Sequence, residues 1–183
     1  MPPLIEHRYP TPLGGMVALF TPQGLALLEF CRETKGLDAE WRAVERHAGG
    51  AAEPGDDART RALGAEIEAY FNGQLTAFKT PLDLVGTPFQ KSVWQALLDI
   101  PYGQTRSYAQ QARQIDRPTA TRAVAAANGQ NKIAIIVPCH RVIGSNGQLT
   151  GYGGGLPRKQ WLLALESGTS LLTLSPNCRS ADG

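Results

Sequence analysis

The sequence is poor in the features that mark specialised protein classes. Its 183 residues hold only three cysteines, Cys31, Cys139 and Cys178. An odd number this widely spaced excludes a disulfide-stapled scaffold and a C-x-x-C metal knuckle, and it leaves at least one thiol free. No run approaches the ~18 apolar residues of a membrane span. The start, Met1-Pro2-Pro3-Leu4-Ile5-Glu6, has neither the charged nor the apolar region of a secretory leader, so the expectation is a cytoplasmic protein with no membrane partner. There is no internal repeat, and 20 Gly with 13 Pro make the chain loop-rich without reaching low complexity. A charge excess is missing too: 18 Lys and Arg against 16 Asp and Glu leave +2, which taken whole points to neither nucleic acid nor a membrane surface. What remains is an ordinary globular composition, 42% hydrophobic, in a chain long enough for one good core or two small domains.

The charge is unevenly placed. Between Pro88 and Ser167 nine Lys and Arg face three acids, a net of +6, and the rest of the chain carries −4. An acidic segment joined to a basic one suggests two domains, with any polyanionic partner meeting the second.

Local patterning agrees. Met16 to Thr21 and Leu25 to Phe30 read as strands, Asp38 to His47 as a polar helix and Ala48 to Gly55 as a loop. Leu63, Ile67, Tyr70 and Phe71 fall at helical spacing over Ala58 to Phe71, with Asn72-Gly73 as the stop. Nothing in residues 1–86, taken as an α/β domain, looks chemical. Residues 87–167 form the second domain and 168–183 a tail. Thr87-Pro88-Phe89-Gln90 is a capping box with proline at the first helical position, leading into Ser92 to Asp99. Ser107-Tyr108-Ala109-Gln110 is another, opening a helix to about Ile115. Asp116-Arg117-Pro118 breaks it, and a helix from Thr119 to about Asn128 completes a helix-turn-helix pattern. Ile133 to Val137 is an unbroken apolar run that reads as a buried strand. A glycine-rich loop, Gly144 to Gly155, precedes a last helix from Leu156 to Ser167, capped by Gly168.

Cys139 lies where that apolar run meets Pro138, which cannot continue a hydrogen-bond ladder, so the backbone turns and a side chain can face a cleft. A free cysteine is also one of the most commonly buried residues, so inert packing is the competing reading. Two neighbours favour chemistry. His140 is adjacent, and Glu166 sits close to the apolar side of its helix, where a carboxylate is costly unless paired. A Glu that fixes a His, which draws the proton from a Cys directly or through water, is the logic of thiol enzymes; a surface His–Glu pair is the alternative. Adjacent residues of an extended strand point to opposite faces, so Cys139 and His140 can cooperate only across a turn or a bridging water. A zinc deaminase is excluded because Pro138-Cys139 lacks the second cysteine of P-C-x-x-C. Zinc held by Cys31, His7 and His47 has no motif spacing behind it. The helix-turn-helix carries Arg113, Arg117 and Arg122, and alanines line its second helix, which lets it approach a groove closely. Good helix formers with a solvated basic face would look the same.

Taken together, Thr105 to Glu166 resembles the methylated-DNA-protein-cysteine methyltransferase family, which repairs O6-alkylguanine in DNA. The resemblance rests on Pro138-Cys139-His140-Arg141-Val142, Arg122-Ala123-Val124, Asn131, Ile133 to Val142, Gly151-Tyr152-Gly153-Gly154-Gly155 and Arg158-Lys159 to Glu166. It implies an RNase H-like α/β domain followed by a mostly helical, winged-helix-like domain that carries the thiol. It implies no cofactor or metal, a monomer, and double-stranded DNA containing O6-alkylguanine as partner, with O4-alkylthymine a second candidate lesion. Cys139 would be the alkyl acceptor, His140 the proton acceptor through a water, Glu166 its holder and Asn131 the brace of the turn. Tyr108 would donate to the guanine ring. Arg122 would replace the flipped base in the stack, with Thr121 and Ala123 among the DNA contacts. Val142, Tyr152 and Gly153 would line the substrate pocket. The thioether product has no route back, so each molecule would act once. A lesion sensor that binds without transfer, and a cysteine hydrolase, are the rivals. Gln111 stands where the family has Leu, predicting a poorer seat for the first helix of the pair, and Asp116 stands where it has Gly.

Overall fold

The computed structural model describes residues 3–31 and 37–168; the tail beyond, with Cys178, lies outside the described residues. Three strands, β1 (Leu4–Tyr9), β2 (Met16–Thr21) and β3 (Gly24–Phe30), form an antiparallel meander, and β4 (Ala52–Pro54) adds parallel to β1, giving the order β3-β2-β1-β4. Every residue of β2 and β3 is buried. They read as unbroken apolar runs because the sheet is covered on both faces. Val17, Leu19 and Leu27 meet Val44 and Trp41 of α1 (Asp38–Ala48). The alternate residues Met16, Ala18, Phe20 and Leu28 meet Leu63, Ile67, Tyr70 and Phe71 of α2 (Ala58–Phe71). The segment read as a loop from Ala48 to Gly55 contains β4, whose strand character comes only from backbone pairing with β1.

Both capping boxes form. Thr87 and Gln90 start α3 (Pro88–Leu98), and Ser107 and Gln110 start α4 (Tyr108–Gln114). Asp116 takes the left-handed turn conformation at φ 58°, which Asp tolerates, and α5 (Thr121–Gly129) follows. Beyond a 3₁₀ turn at Cys139–Arg141, β6 (Val142–Ile143) pairs in parallel with β5 (Arg106–Ser107), and α6 (Leu156–Ser167) ends on Gly168 at φ 72°.

Gln111 is well seated, contrary to the expectation. It is fully buried on α4, and its amide pairs reciprocally with Asn128 of α5: Gln111 Nε2 donates to Asn128 Oδ1 at 2.9 Å, and Asn128 Nδ2 donates to Gln111 Oε1 at 2.7 Å. Two carboxamides that satisfy each other carry no desolvation debt. Gln111→Leu alone is therefore expected to cost about 1–3 kcal/mol in urea denaturation, by stranding Asn128, while the double variant with Asn128→Leu recovers most of it.

The run Ile133 to Val137 is buried but is not a strand. Only its start pairs with the sheet: Leu28 N donates to Lys132 O at 2.9 Å and Ala134 N to Leu28 O at 2.8 Å. The backbone then coils, Val137 N returning to Ile133 O at 3.1 Å, and Ile135 sits at φ 70°, a strained conformation for a β-branched residue. The run is apolar because it is enclosed, and one apolar core extends across both halves of the chain.

Candidate active site

The turn that carries Cys139 is held from inside by Asn131. The Asn131 Oδ1 accepts from Ile133 N at 2.9 Å, while its Nδ2 donates to Val137 O at 2.8 Å and reaches the Cys139 Sγ at 3.3 Å. The carboxamide supplies the hydrogen bonds that a neighbouring strand would have given this segment. The 3₁₀ turn also resolves the geometry of the adjacent pair: Cys139 is half-buried and lines a cavity, and His140 is fully buried behind it.

Glu166 of α6 is the hub behind the thiol. Its Oε1 accepts from His140 Nε2 at 2.7 Å, Arg141 Nη2 at 2.9 Å and the Tyr70 hydroxyl at 2.7 Å, and its Oε2 accepts from Arg141 Nε at 2.8 Å. The Arg141 fork is completed by Nη1 donating to Ile100 O at 2.6 Å. Burial pushes the Glu166 carboxyl up, but hydrogen bonds and charge from His140 and Arg141 outweigh it and hold the pKa at about 2. An ionised Glu166 requires the proton of neutral His140 to sit on Nε2, leaving the lone pair on Nδ1, which makes no hydrogen bond among the described residues. Burial holds the His140 pKa below its ordinary value against the pull of Glu166. Burial also pushes the Cys139 thiol up to about 11 despite the Asn131 bond and the Lys159 charge. The resting group is a protonated thiol with a neutral imidazole base beside it.

The cavity at Cys139 measures about 70 Å³ and is lined from both halves of the chain, by Glu29 and Glu40 on one side and Asn128, Asn131, Tyr152 and Gly153 on the other. Glu40 Oε2 and the Tyr152 hydroxyl are buried there with no hydrogen-bond partner among the described residues. Gly154 has to be glycine, since a Cβ would lie 2.7 Å from the Tyr152 ring. Val142 does not line this cavity: it is fully buried, and its carbonyl accepts from Lys159 Nζ at 2.6 Å. Tyr108 opens α4, and its hydroxyl donates to Thr150 O at 3.1 Å. Lys159 Nζ donates to the same carbonyl at 2.8 Å, so this buried cation ties the glycine loop to β6, which follows the 3₁₀ turn. Arg122 and Ala123 are exposed and Thr121 half-buried on the first turn of α5, whose far end, Asn128-Gly129, borders the cavity. The separation is about 9 Å along the helix axis.

Tyr70, Arg141 and Lys159 carry no assignment from the sequence. Tyr70 reads as one more apolar-face residue of α2, in a half that reads as devoid of chemistry; the structure places its hydroxyl on Glu166. Lys159 had a signal, since Lys159, Leu162 and Glu166 share one helix face at i, i+3 and i+7. Among the described residues no cluster of three His, Cys, Asp or Glu could hold a metal ion, and no helix is long and apolar enough to cross a membrane.

Comparison with known proteins places these features in a family. Residues 4–84 match the profile of the 6-O-methylguanine DNA methyltransferase ribonuclease-like domain, and residues 88–168 match that of the DNA binding domain. A methylated-DNA–protein-cysteine methyltransferase of Methanosarcina acetivorans is 44% identical over 158 residues, 86% of this chain and 95% of the relative. That of Mycobacterium leprae is 60% identical over 111 residues, 61% of this chain and 67% of the relative. The match to that of Mycolicibacterium paratuberculosis, 64% identical over 101 residues, spans 61% of the relative's length. The crystal structure of Mycobacterium tuberculosis O6-methylguanine methyltransferase superposes with a TM-score of 0.76 at 43% identity, over 91% of this chain and 94% of that one. A structure of the M. tuberculosis protein in complex with DNA gives 0.76 at 44%, over 90% and 94%. With a ribonuclease-like sheet domain, a helical DNA-binding domain and the Cys139 site between them, the chain belongs to the methylated-DNA–protein-cysteine methyltransferase family.

Proposed function

We propose that the protein repairs DNA by a single transfer of the alkyl group of O6-alkylguanine to the Sγ of Cys139. The observation that carries this reading is the Cys139 thiol opening into a cavity, with His140, Glu166 and Arg141 locked together behind it. In the transfer the S–C bond forms as the C–O6 bond breaks, the thiol proton passes toward the His140 Nδ1, and guanine leaves and takes up a proton at its ring. Imidazolium formed next to ionised Glu166 is stabilised by that carboxylate. A thiol that rests protonated is less open to adventitious alkylation and oxidation than a thiolate.

Charge developing on the guanine ring is met by the Tyr108 phenol once it exchanges its bond to Thr150 O for the ring, a contribution of a few kcal/mol. The cavity is smaller than the ~300 Å³ of ordinary small-molecule sites, so a flipped base enters as the Tyr152–Gly154 loop and the facing Leu37–Glu40 turn yield. The +6 domain supplies the attraction to the duplex, so binding falls with salt as counterions are released. Arg122, on the exposed first turn of α5, fills the gap left in the stack. A cytoplasmic setting, which keeps thiols reduced, suits a thiol acceptor of this kind.

The test is incubation with an oligonucleotide containing O6-methylguanine, followed by peptide mass spectrometry. Stoichiometric methylation of Cys139 supports the proposal, and Cys139→Ala should bind the oligonucleotide and transfer nothing. Intact lesion bound to unmodified Cys139 would instead identify a lesion sensor, and repeated turnover of an ester a hydrolase. Arg122→Ala is expected to slow repair of duplex about ten-fold or more while leaving reaction with free O6-benzylguanine within about two-fold, because only the duplex requires flipping. Equal slowing of both would remove Arg122 from that role.

A further inference from the structure

We propose that the Tyr70 hydroxyl, supplied by the ribonuclease-like half, is a positioning residue of the transfer relay: it holds Glu166 Oε1 and limits how strongly that oxygen draws a proton onto His140. The inference rests on the alkyl-acceptor reading of Cys139 and concerns the half of the chain to which no chemistry has been assigned.

Tyr70 is 1% exposed, and three aromatic rings fix it: Phe71 edge-on at 5.4 Å, Phe78 at 5.5 Å and Tyr102 edge-on at 6.3 Å. Its hydroxyl reaches Glu166 across 96 residues of sequence, at the same 2.7 Å as His140 Nε2 and onto the same oxygen. Burial, and then the charge of Glu166, hold its pKa well above 10, so the phenol acts only as a donor. Arg141 Nη2 is the third donor onto this oxygen, at 2.9 Å, and all three compete for its electron density. The stronger the phenol's bond, the less that oxygen stabilises a proton added to His140.

The other groups facing the pair are Arg141 of the 3₁₀ turn, Lys159 of α6, Tyr102 before β5, and Cys139 and Tyr152 of the cavity. Arg141 and Lys159 oppose protonation of His140 as well, but both also anchor backbone carbonyls. Among the described residues the Tyr70 hydroxyl makes no other hydrogen bond, so it can be changed without disturbing a second partner. Because α2 also packs on the sheet, docking of the two halves sets the proton affinity of the base.

The test compares Tyr70→Phe with replacement of Tyr70 by 2,3-difluorotyrosine, a stronger donor, and uses Tyr102→Phe as control. The readouts are the pH profile of alkyl transfer and the NMR titration of the His140 ring. Tyr70→Phe should move the acid limb of the profile and the His140 titration upward by about one pH unit, which is a ten-fold slower transfer at a pH on that limb. Difluorotyrosine should move both downward, and Tyr102→Phe, which keeps its ring against Tyr70 and Arg141, should move neither. A His140 titration unmoved by both Tyr70 changes, or moved the same way by both, overturns the proposal. If Tyr70→Phe fails to fold, the fluorinated side chain decides alone, because it keeps the packing. A wild-type protein that transfers no alkyl group refutes the acceptor reading instead, while the His140 titration still reports on Tyr70.

Discussion

Glu166→Gln is expected to destabilise the protein by about 3–5 kcal/mol and to slow alkyl transfer by about 10²–10⁴-fold. The carboxylate is 1% exposed at its side chain and accepts four hydrogen bonds, two of them from one guanidinium. Glutamine keeps the volume but removes the charge, and its amide turns a donor toward groups that are all donors. Arg141 is then buried without a counter-charge, and His140 loses the acceptor that fixes its proton on Nε2. Urea denaturation measures the first loss and single-turnover transfer the second. A variant within about 1 kcal/mol of the wild type would show that the buried cluster contributes specificity rather than stability.

The same cluster sets the acid response. The folded pKa of Glu166, about 2, lies below its ordinary 4.5, so its stabilisation is complete above about pH 4.5 and is lost as pH falls from there toward 2. The pKa of His140 is lowered from 6.5 by burial, so the unfolded ring takes up a proton that the folded ring resists, and stability begins to fall below about pH 6.5. The expected profile is flat at neutral pH, declines from about 6.5 and steepens below 4.5. In Glu166→Gln the steep lower part should be absent.

Asn131→Ala is the second large effect, an expected loss of about 2–4 kcal/mol together with at least a ten-fold fall in transfer. The side chain satisfies the buried Ile133 N–H and Val137 carbonyl directly, and each group left unpaired costs about 1–3 kcal/mol. It also restrains a segment in which Ile135 is held at φ 70°, a conformation that persists only while the surroundings impose it. Without the carboxamide the segment relaxes and the Cys139 Sγ loses its hold at the cavity. Denaturant midpoint and the transfer rate measure the two consequences, and an unchanged midpoint would mean that packing alone holds the turn.

The legible part of this protein is its local chemistry. Thr87 with Gln90 and Ser107 with Gln110 announce their helices because a capping box needs only four consecutive residues. Gly168 ends α6, and Asp116 turns the chain between α4 and α5, for equally local reasons. The Cys139 string, with Asn131 and Glu166 at their spacings, led to the family and to the side chains that the fold assembles around the thiol. The apolar run before Cys139 misled, because a buried strand and a buried coil have the same composition. They differ in where the backbone hydrogen bonds go, and here Asn131 and the edge of β3 receive them. Gln111 misled for a related reason: its partner, Asn128, lies on another helix.

The sequence by itself determined the helices of the second domain, the segregation of charge and the thiol proposed as acceptor, since each is encoded within a turn or two of chain or in a side chain's own reactivity. Only the tertiary structure decided that Tyr70 and Arg141 share Glu166 with His140, that Lys159 holds both Val142 and Thr150, and that β3 carries the cysteine turn on its edge. Those contacts join elements far apart in sequence, and burial of a common core brings them together; no residue's neighbours along the chain specify which distant carboxylate it will meet.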